Sequence, residues 1–205
     1  MGGRVAQTGQ RRREILDAAL DCFSRLGFAA ATMEDIRAQS GASTGSIYHH
    51  FAGKAELAAA LYVSGLHDYQ EGMLDELGRH RVAERGVRSI VEHHLDWVKA
   101  HPELARFLLY MRQAEAVAAT AIEVRAQRQE FFRRALAWLR PHIATGAILE
   151  LPAPVLVSLI IGPCQEYGRY WLARSESTDA AELGRARRAL SDAAWAAVGN
   201  PHPKP

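Results

Sequence analysis

An all-α fold of about nine helices is predicted by three features of the chain: apolar residues recur at three-four spacing, no stretch alternates as a strand would, and Gly or Pro punctuates the periodic runs. The chain has 205 residues and is 48% hydrophobic, enough for a packed core in one domain or in a small and a larger one.

The first helix carries the apolar stripe Ile15, Ala18, Ala19, Cys22, Phe23 and Leu26. Thr32 is a good N-cap, and Asp35 completes a capping-box pattern for a helix through Gln39. Gly41 supplies a left-handed turn residue, and Ser43 caps a short helix from Thr44 to His50 that turns Ile47 and Phe51 inward. Helix, glycine turn and short polar helix describe a helix-turn-helix, whose second helix enters the major groove of DNA. Its outer residues Thr44, Gly45, Ser46, Tyr48, His49 and His50 include no acid to repel phosphate. Hydroxyls and imidazoles there can bond to base edges or phosphates, and Gly45 lets the backbone come close. Lys54, opening the next helix, is placed for a phosphate. A solvated helical hairpin would explain the same pattern taken alone.

The stretch from about Arg12 to Leu61 resembles the DNA-binding domain of the TetR (tetracycline-repressor) family of transcriptional regulators. The matching residues are the first helix from Ile15 to Phe28, then Thr32, Ile36, Gly41, Ser43, Gly45, Tyr48, His50, Phe51, Lys54 and Leu57. Two positions depart from the family pattern. Arg37 stands where a small residue is usual, and Ala42 where valine is commoner. The resemblance implies DNA contacts from Thr32, Ser43, Thr44, Gly45, Ser46, Tyr48, His49, His50 and Lys54. It also implies a double-stranded operator as partner and a C-terminal helical domain that binds a small-molecule effector and dimerises.

Charge is informative only in its distribution. The net charge is +2, yet residues 1–13 hold Arg4, Arg11, Arg12 and Arg13 without an acid. Such a basic arm either tracks phosphates or the minor groove, or is a disordered solubilising tail. Cys22 and Cys164 make no disulfide framework, and Cys22 lies on a core stripe. No signal peptide is visible, and the apolar run Leu151–Cys164 contains three prolines and is too short to cross a bilayer. A cytoplasmic protein without membrane association is expected.

The remaining periodicity places a fourth helix at about Gly53–Leu77, a fifth at about Glu84–Ala100 and a sixth opening at Pro102. A seventh runs from about Glu115 to Leu139 and stops at Pro141 and Gly146; an eighth opens at Pro152 and Pro154 and reaches about Leu172; a ninth spans about Asp179–Val198. The eighth is apolar almost all round, and the ninth presents Leu183, Ala186, Leu190, Ala193, Ala194 and Ala197. A monomer core could use these helices, but two-fold operators favour a homodimer paired through both. Arg185, Arg187 and Arg188 are read as solvated or paired with Glu182 and Glu176. The expected divisions are a disordered arm over 1–10, the DNA-binding domain over 11–56, an effector and dimerisation domain over 57–198, and a disordered tail over 199–205.

Candidate effector residues are His94, Trp97, Phe107, Met111, Phe131, Cys164 and Tyr167, an apolar wall with a few polar tips that suits an apolar or aromatic molecule; the same residues could be plain core. Pro163 removes a helical hydrogen bond beside Cys164. No HExxH, CxxC, carboxylate cluster or phosphate loop points to catalysis, a metal or a cofactor, so no enzyme is expected. Two other classes stay open: a helical small-molecule carrier or enzyme with a vestigial helix-turn-helix, and a DNA-organising protein without an effector.

Overall fold

The computed structural model describes residues 2–111, 120–174 and 180–201. Among the described residues there are nine helices: α1 Gly2–Leu26, α2 Met33–Ser40, α3 Thr44–His50, α4 Lys54–Gly78, α5 Ala83–Ala100, α6 Pro102–Met111, α7 Ala121–Ala144, α8 Ala153–Ala173 and α9 Ala180–Val198. The chain packs as two compact units. One comprises Met1–Leu66 with Glu103–Arg125, the other His67–Pro102 with Ala126–Pro205. The first unit thus extends past the boundary at residue 56 expected from sequence and takes in α6.

Its core is assembled from the stripes read above. Ile15, Leu16, Ala19, Cys22 and Phe23 of α1 meet Ile36, Ala42, Ile47 and Phe51 from the α2–α3 pair, and Leu57, Ala58, Leu61 and Tyr62 from α4. Phe107 and Met111 of α6 complete it, with the Phe107 ring stacked on Phe23 at 5.7 Å between centroids. Ala42 is fully packed, so the smaller side chain at this position leaves the core closed. Gly65 is needed for close approach in this unit, because a Cβ there would stand 2.8 Å from a Leu104 methyl.

In the second unit α5 is the central element, burying Val87, Ile90, Val91, His94, Leu95 and Val98 while packing on α8 and α9. Arg187 of α9 reaches Glu92 at 3.0 Å and Asp96 at 3.1 Å, a pairing with α5 in place of the expected Glu182 or Glu176. Glu182 instead takes Arg174, and Glu176 lies outside the described residues.

Three further features differ from the sequence reading. Pro141 does not stop α7, which runs on to Ala144. A proline deletes only the bond to Ala137 and leaves later turns free to form; Thr145 N–H donates to the Pro141 carbonyl at 3.0 Å, and Gly146 at φ 73° ends the helix. At the other end, the helix expected from about Glu115 is described from Ala121, since 112–119 lie outside the described residues. The arm expected to be disordered is helical from Gly2. Gln10 and Arg11 both bond to Glu14, at 3.1 and 2.7 Å, and one-turn pairs of this kind extend a helix backwards. The tail is tied at its start: Asn200 N–H donates to the Ala147 carbonyl at 3.0 Å, and its amide to Gly146 at 2.9 Å.

Candidate nucleic-acid interface

The two-helix element is set by local bonds. Asp35 N–H donates to the Thr32 hydroxyl oxygen at 3.1 Å, while the Thr32 N–H and hydroxyl donate to the Asp35 carboxylate at 2.8 and 2.6 Å. This closed capping box starts α2 and holds the Asp35 carboxyl below its usual range, mainly through the Thr32 side-chain hydrogen bond. Gly41 ends α2 in the left-handed region at φ 62°. Ser43 caps α3 by accepting from the Ser46 N–H at 3.1 Å, and its own hydroxyl hydrogen stays available to donate.

With Ile47 and Phe51 anchored inside, α3 leaves Ser43, Thr44, Gly45, Tyr48 and His49 exposed and Ser46 and His50 half-buried. The Tyr48 side chain is 53% exposed, a large aromatic that the core does not use. Burial, then the neighbouring His49 and Arg12, lower the His50 pKa, so this imidazole is held neutral as a donor–acceptor. Arg12 lies over the Phe51 ring at 5.2 Å, which fixes one arm arginine beside the end of α3. By contrast, Glu14, Asp17 and Asp21 of α1 line a shallow groove with Gln39 and Ser40, a surface that repels phosphate. The α3 surface, unlike that groove, carries no acid.

Two residues read as contacts bond within the chain. The Thr32 hydroxyl hydrogen is taken by Asp35, which makes Thr32 a cap. Lys54 Nζ donates to the carbonyls of Phe28, Ala29 and Ala31 at 2.7, 3.0 and 2.8 Å, which leaves no ammonium proton for a phosphate in this arrangement. Arg37, the unusual residue on α2, forms a two-pronged pair with Glu34 at 2.8 and 2.5 Å.

Residues 15–61, which span α1 through the first turns of α4, match the model of bacterial regulatory proteins of the tetR family. Over 151 residues the chain is 30% identical to the HTH-type transcriptional repressor SCO4008 of Streptomyces coelicolor, covering 73% of this chain and 74% of that protein. The chain belongs to the tetR family. Solved structures agree on the fold of this tetR-family chain. A TetR family transcription regulator from Marinobacter aquaeolei superposes with a TM-score of 0.76 at 20% identity, covering 95% of this chain and 98% of that one. FadR of Bacillus subtilis in complex with stearoyl-CoA does so with a TM-score of 0.71 at 21% identity, covering 89% and 96%.

The effector candidates fall into separate places in this tetR-family protein. Phe107 and Met111 are core of the first unit. In the second, His94 and Trp97 gather around Tyr69 of α4, whose hydroxyl lies 2.8 Å from His94 Nδ1 and whose ring centroid is 4.9 Å from Trp97. Cys164 is buried in the same unit, its thiol donating to the Ile161 carbonyl at 3.1 Å and its pKa pushed by burial up to about 12. Tyr167 points elsewhere, towards Glu182 of α9 at 3.5 Å, and Phe131 packs on Phe132 at 5.5 Å. Sequence reasoning did not bring Tyr69 to this region, because on α4 it reads as one more inward-facing position beside Leu66 and Met73. Gln70 Oε1, His93 Nε2 and His94 Nε2 are buried without a hydrogen-bond partner. Among the described residues, no group of His, Cys, Asp and Glu could hold a metal ion, and no helix is long and apolar enough to cross a membrane.

Proposed function

We propose that this protein is a homodimeric, sequence-specific repressor that leaves its operator when a small, largely apolar or aromatic effector binds. The observation that carries the reading is the α3 surface: a rigidly capped helix offering Ser43, Thr44, Gly45, Tyr48 and His49 with no acid in its first turn. Ser43, Ser46 and His50 supply phosphate or base-edge hydrogen bonds at its margin, and Tyr48 and His49 read bases.

Dimerisation is supported by the seam that the second unit leaves on its last two helices. Val155, Leu159 and Gly162 on α8, and Ala186, Leu190, Ala193 and Ala197 on α9, lie outside the buried core at three-four spacing. Two copies joined there present two α3 helices, which must stand about 34–36 Å apart to enter successive major grooves. Effector control is supported by Tyr69, His94, Trp97 and Cys164, where aromatic surface gathers around a buried imidazole and thiol. A ligand acts only through unequal affinity for the two α3 spacings. The stearoyl-CoA of the FadR neighbour is that protein's ligand; the apolar reading for this chain rests on its own side chains.

Selection of bound fragments from genomic DNA tests the proposal. Recovery of a two-fold symmetric site, released by one class of apolar compound, is expected. Tight ligand binding with no DNA enrichment would make it a carrier, and enrichment without sequence preference would make it a DNA-organising protein.

A further inference from the structure

The turn between α1 and α2 ends in a small cation cage. Gly27, at φ 79°, breaks α1, and the carbonyls of Phe28, Ala29 and Ala31 that follow converge on Lys54 Nζ, with the Phe28 ring centroid 4.8 Å from the same atom. An ammonium has three hydrogens, and all three are used here. The acceptors lie directly before α2 and the donor directly after α3, 23–26 residues apart in sequence. The bonds therefore close the α2–α3 pair into a ring. At the α3–α4 junction the Ala52 N–H donates to Glu56 at 2.7 Å, so α4 is capped just beside the clamp.

From this geometry, and resting on the DNA-binding motif assigned above, we propose that Lys54 is a positioning residue that sets the angle of α3 by clamping α4 to the α1–α2 turn, and does not bind a phosphate. A lysine on a phosphate contributes counterion release, whereas a lysine on carbonyls does not. The two roles therefore separate in the salt dependence of binding. They separate again in specificity, because a tilted α3 loses base contacts before it loses backbone attraction.

The test compares wild type, Lys54→Met and Lys54→Arg on the selected operator and on mixed-sequence duplex DNA across a salt series, well below the unfolding temperature. For Lys54→Met, operator affinity falls about tenfold or more while mixed-sequence affinity falls less than about threefold, and the slope of log K against log salt stays parallel to wild type. Lys54→Arg restores part of the operator affinity. A slope shallower by about 0.9, with equal losses on both DNAs, is the signature of a lost phosphate and overturns the proposal. Should Lys54→Met fail to fold, nitrogen-15 spectroscopy of the lysine ammonium groups in wild type decides. A Lys54 signal unchanged between free and operator-bound protein supports the clamp, and a shift with coupling to phosphorus sinks it.

Discussion

Tyr69 Oη stands 2.8 Å from His94 Nδ1 in the interior of the second unit. Burial pushes the phenol up, so it stays protonated, and Gln165 hydrogen-bonds to it from α8. With Gln165 donating to the phenol oxygen and the phenol donating to Nδ1, the imidazole proton resides on Nε2, which faces α8 beside Gly168 and the Cys164 backbone. The histidine thus depends on Tyr69 for the bond at Nδ1. Tyr69→Phe leaves a buried ring nitrogen unpaired, at a cost of about 1–3 kcal/mol. Urea unfolding should show the midpoint falling with an unchanged slope, and an unshifted midpoint would remove Tyr69 from the stability account.

The same histidine makes stability depend on pH. Burial, and then the neighbouring His93, lower its pKa to about 4. In the unfolded chain an imidazole titrates near 6.5. Above that, both states are neutral and nothing is lost. As pH falls through the window from about 6.5 to about 4, the unfolded chain binds a proton that the folded one refuses, and stability drops by on the order of 3 kcal/mol. The facing groups, Tyr69 and Cys164, are both pushed up by burial and stay neutral, so neither offsets the loss. Unfolding at pH 7 and pH 5 should show a larger difference for wild type than for His94→Asn; equal differences would contradict the assignment.

What the sequence disclosed, and what it concealed, follows from the range of the interactions. Thr32 with Asp35, Gly41 and Ser43 act within one turn, so their spacing is itself the signal, and each does the local work read from it. The carbonyl partners of Lys54 were not legible, because they are backbone groups more than twenty residues away, which carry no side-chain signature. Arg187 illustrates the same limit, pairing across to α5 when nearer acids were available in sequence. The α3 surface was legible as a set, since solvent-facing positions on a seven-residue helix follow from its buried Ile47. The effector candidates were not, because aromatic residues at helical spacing look alike whether they line a site or fill a core. Phe107 and Met111 fill a core.

Gly86 offers a test of packing in which two effects oppose each other. Alanine in a helix interior is favoured over glycine by about 1 kcal/mol. Here, however, a Cβ on α5 would run into the six-membered ring of Trp138. That ring cannot easily yield, because its N–H donates to the His80 carbonyl at 2.9 Å and its far side meets His142 at 4.3 Å between centroids. Overpacking of this kind costs about 1–3 kcal/mol, so the clash outweighs the propensity gain. Gly86→Ala should unfold at lower urea with altered tryptophan fluorescence, and a stabilised variant would disprove the tight contact.

On α3, Tyr48 and His49 are exposed side chains with no role in the core. Tyr48→Ala and His49→Ala should each weaken operator binding by about 1–3 kcal/mol and relax preference at one base position. Competition between the selected operator and single-base variants measures both effects. Wild-type discrimination in both mutants would show that another surface reads the bases.

The dimer seam distinguishes two alanines and a leucine that the sequence had grouped together on α9. Ala194 is 3% exposed and sealed within its own protomer, so a carboxylate there has no water to face and unfolds the second unit. Leu190 is half-buried and Ala193 exposed, on the outer stripe with Ala186 and Ala197. A glutamate at Leu190 or Ala193 is solvated in the monomer and becomes costly only when a second copy covers it, by several kcal/mol. Leu190→Glu and Ala193→Glu should therefore sediment as folded monomers with full helical circular dichroism and greatly weakened operator binding, whereas Ala194→Glu should lose helix content. The paired behaviour matters, because loss of dimer with loss of fold would say nothing about the interface. Wild-type protein that sediments as a monomer at micromolar concentration would end the dimer proposal outright.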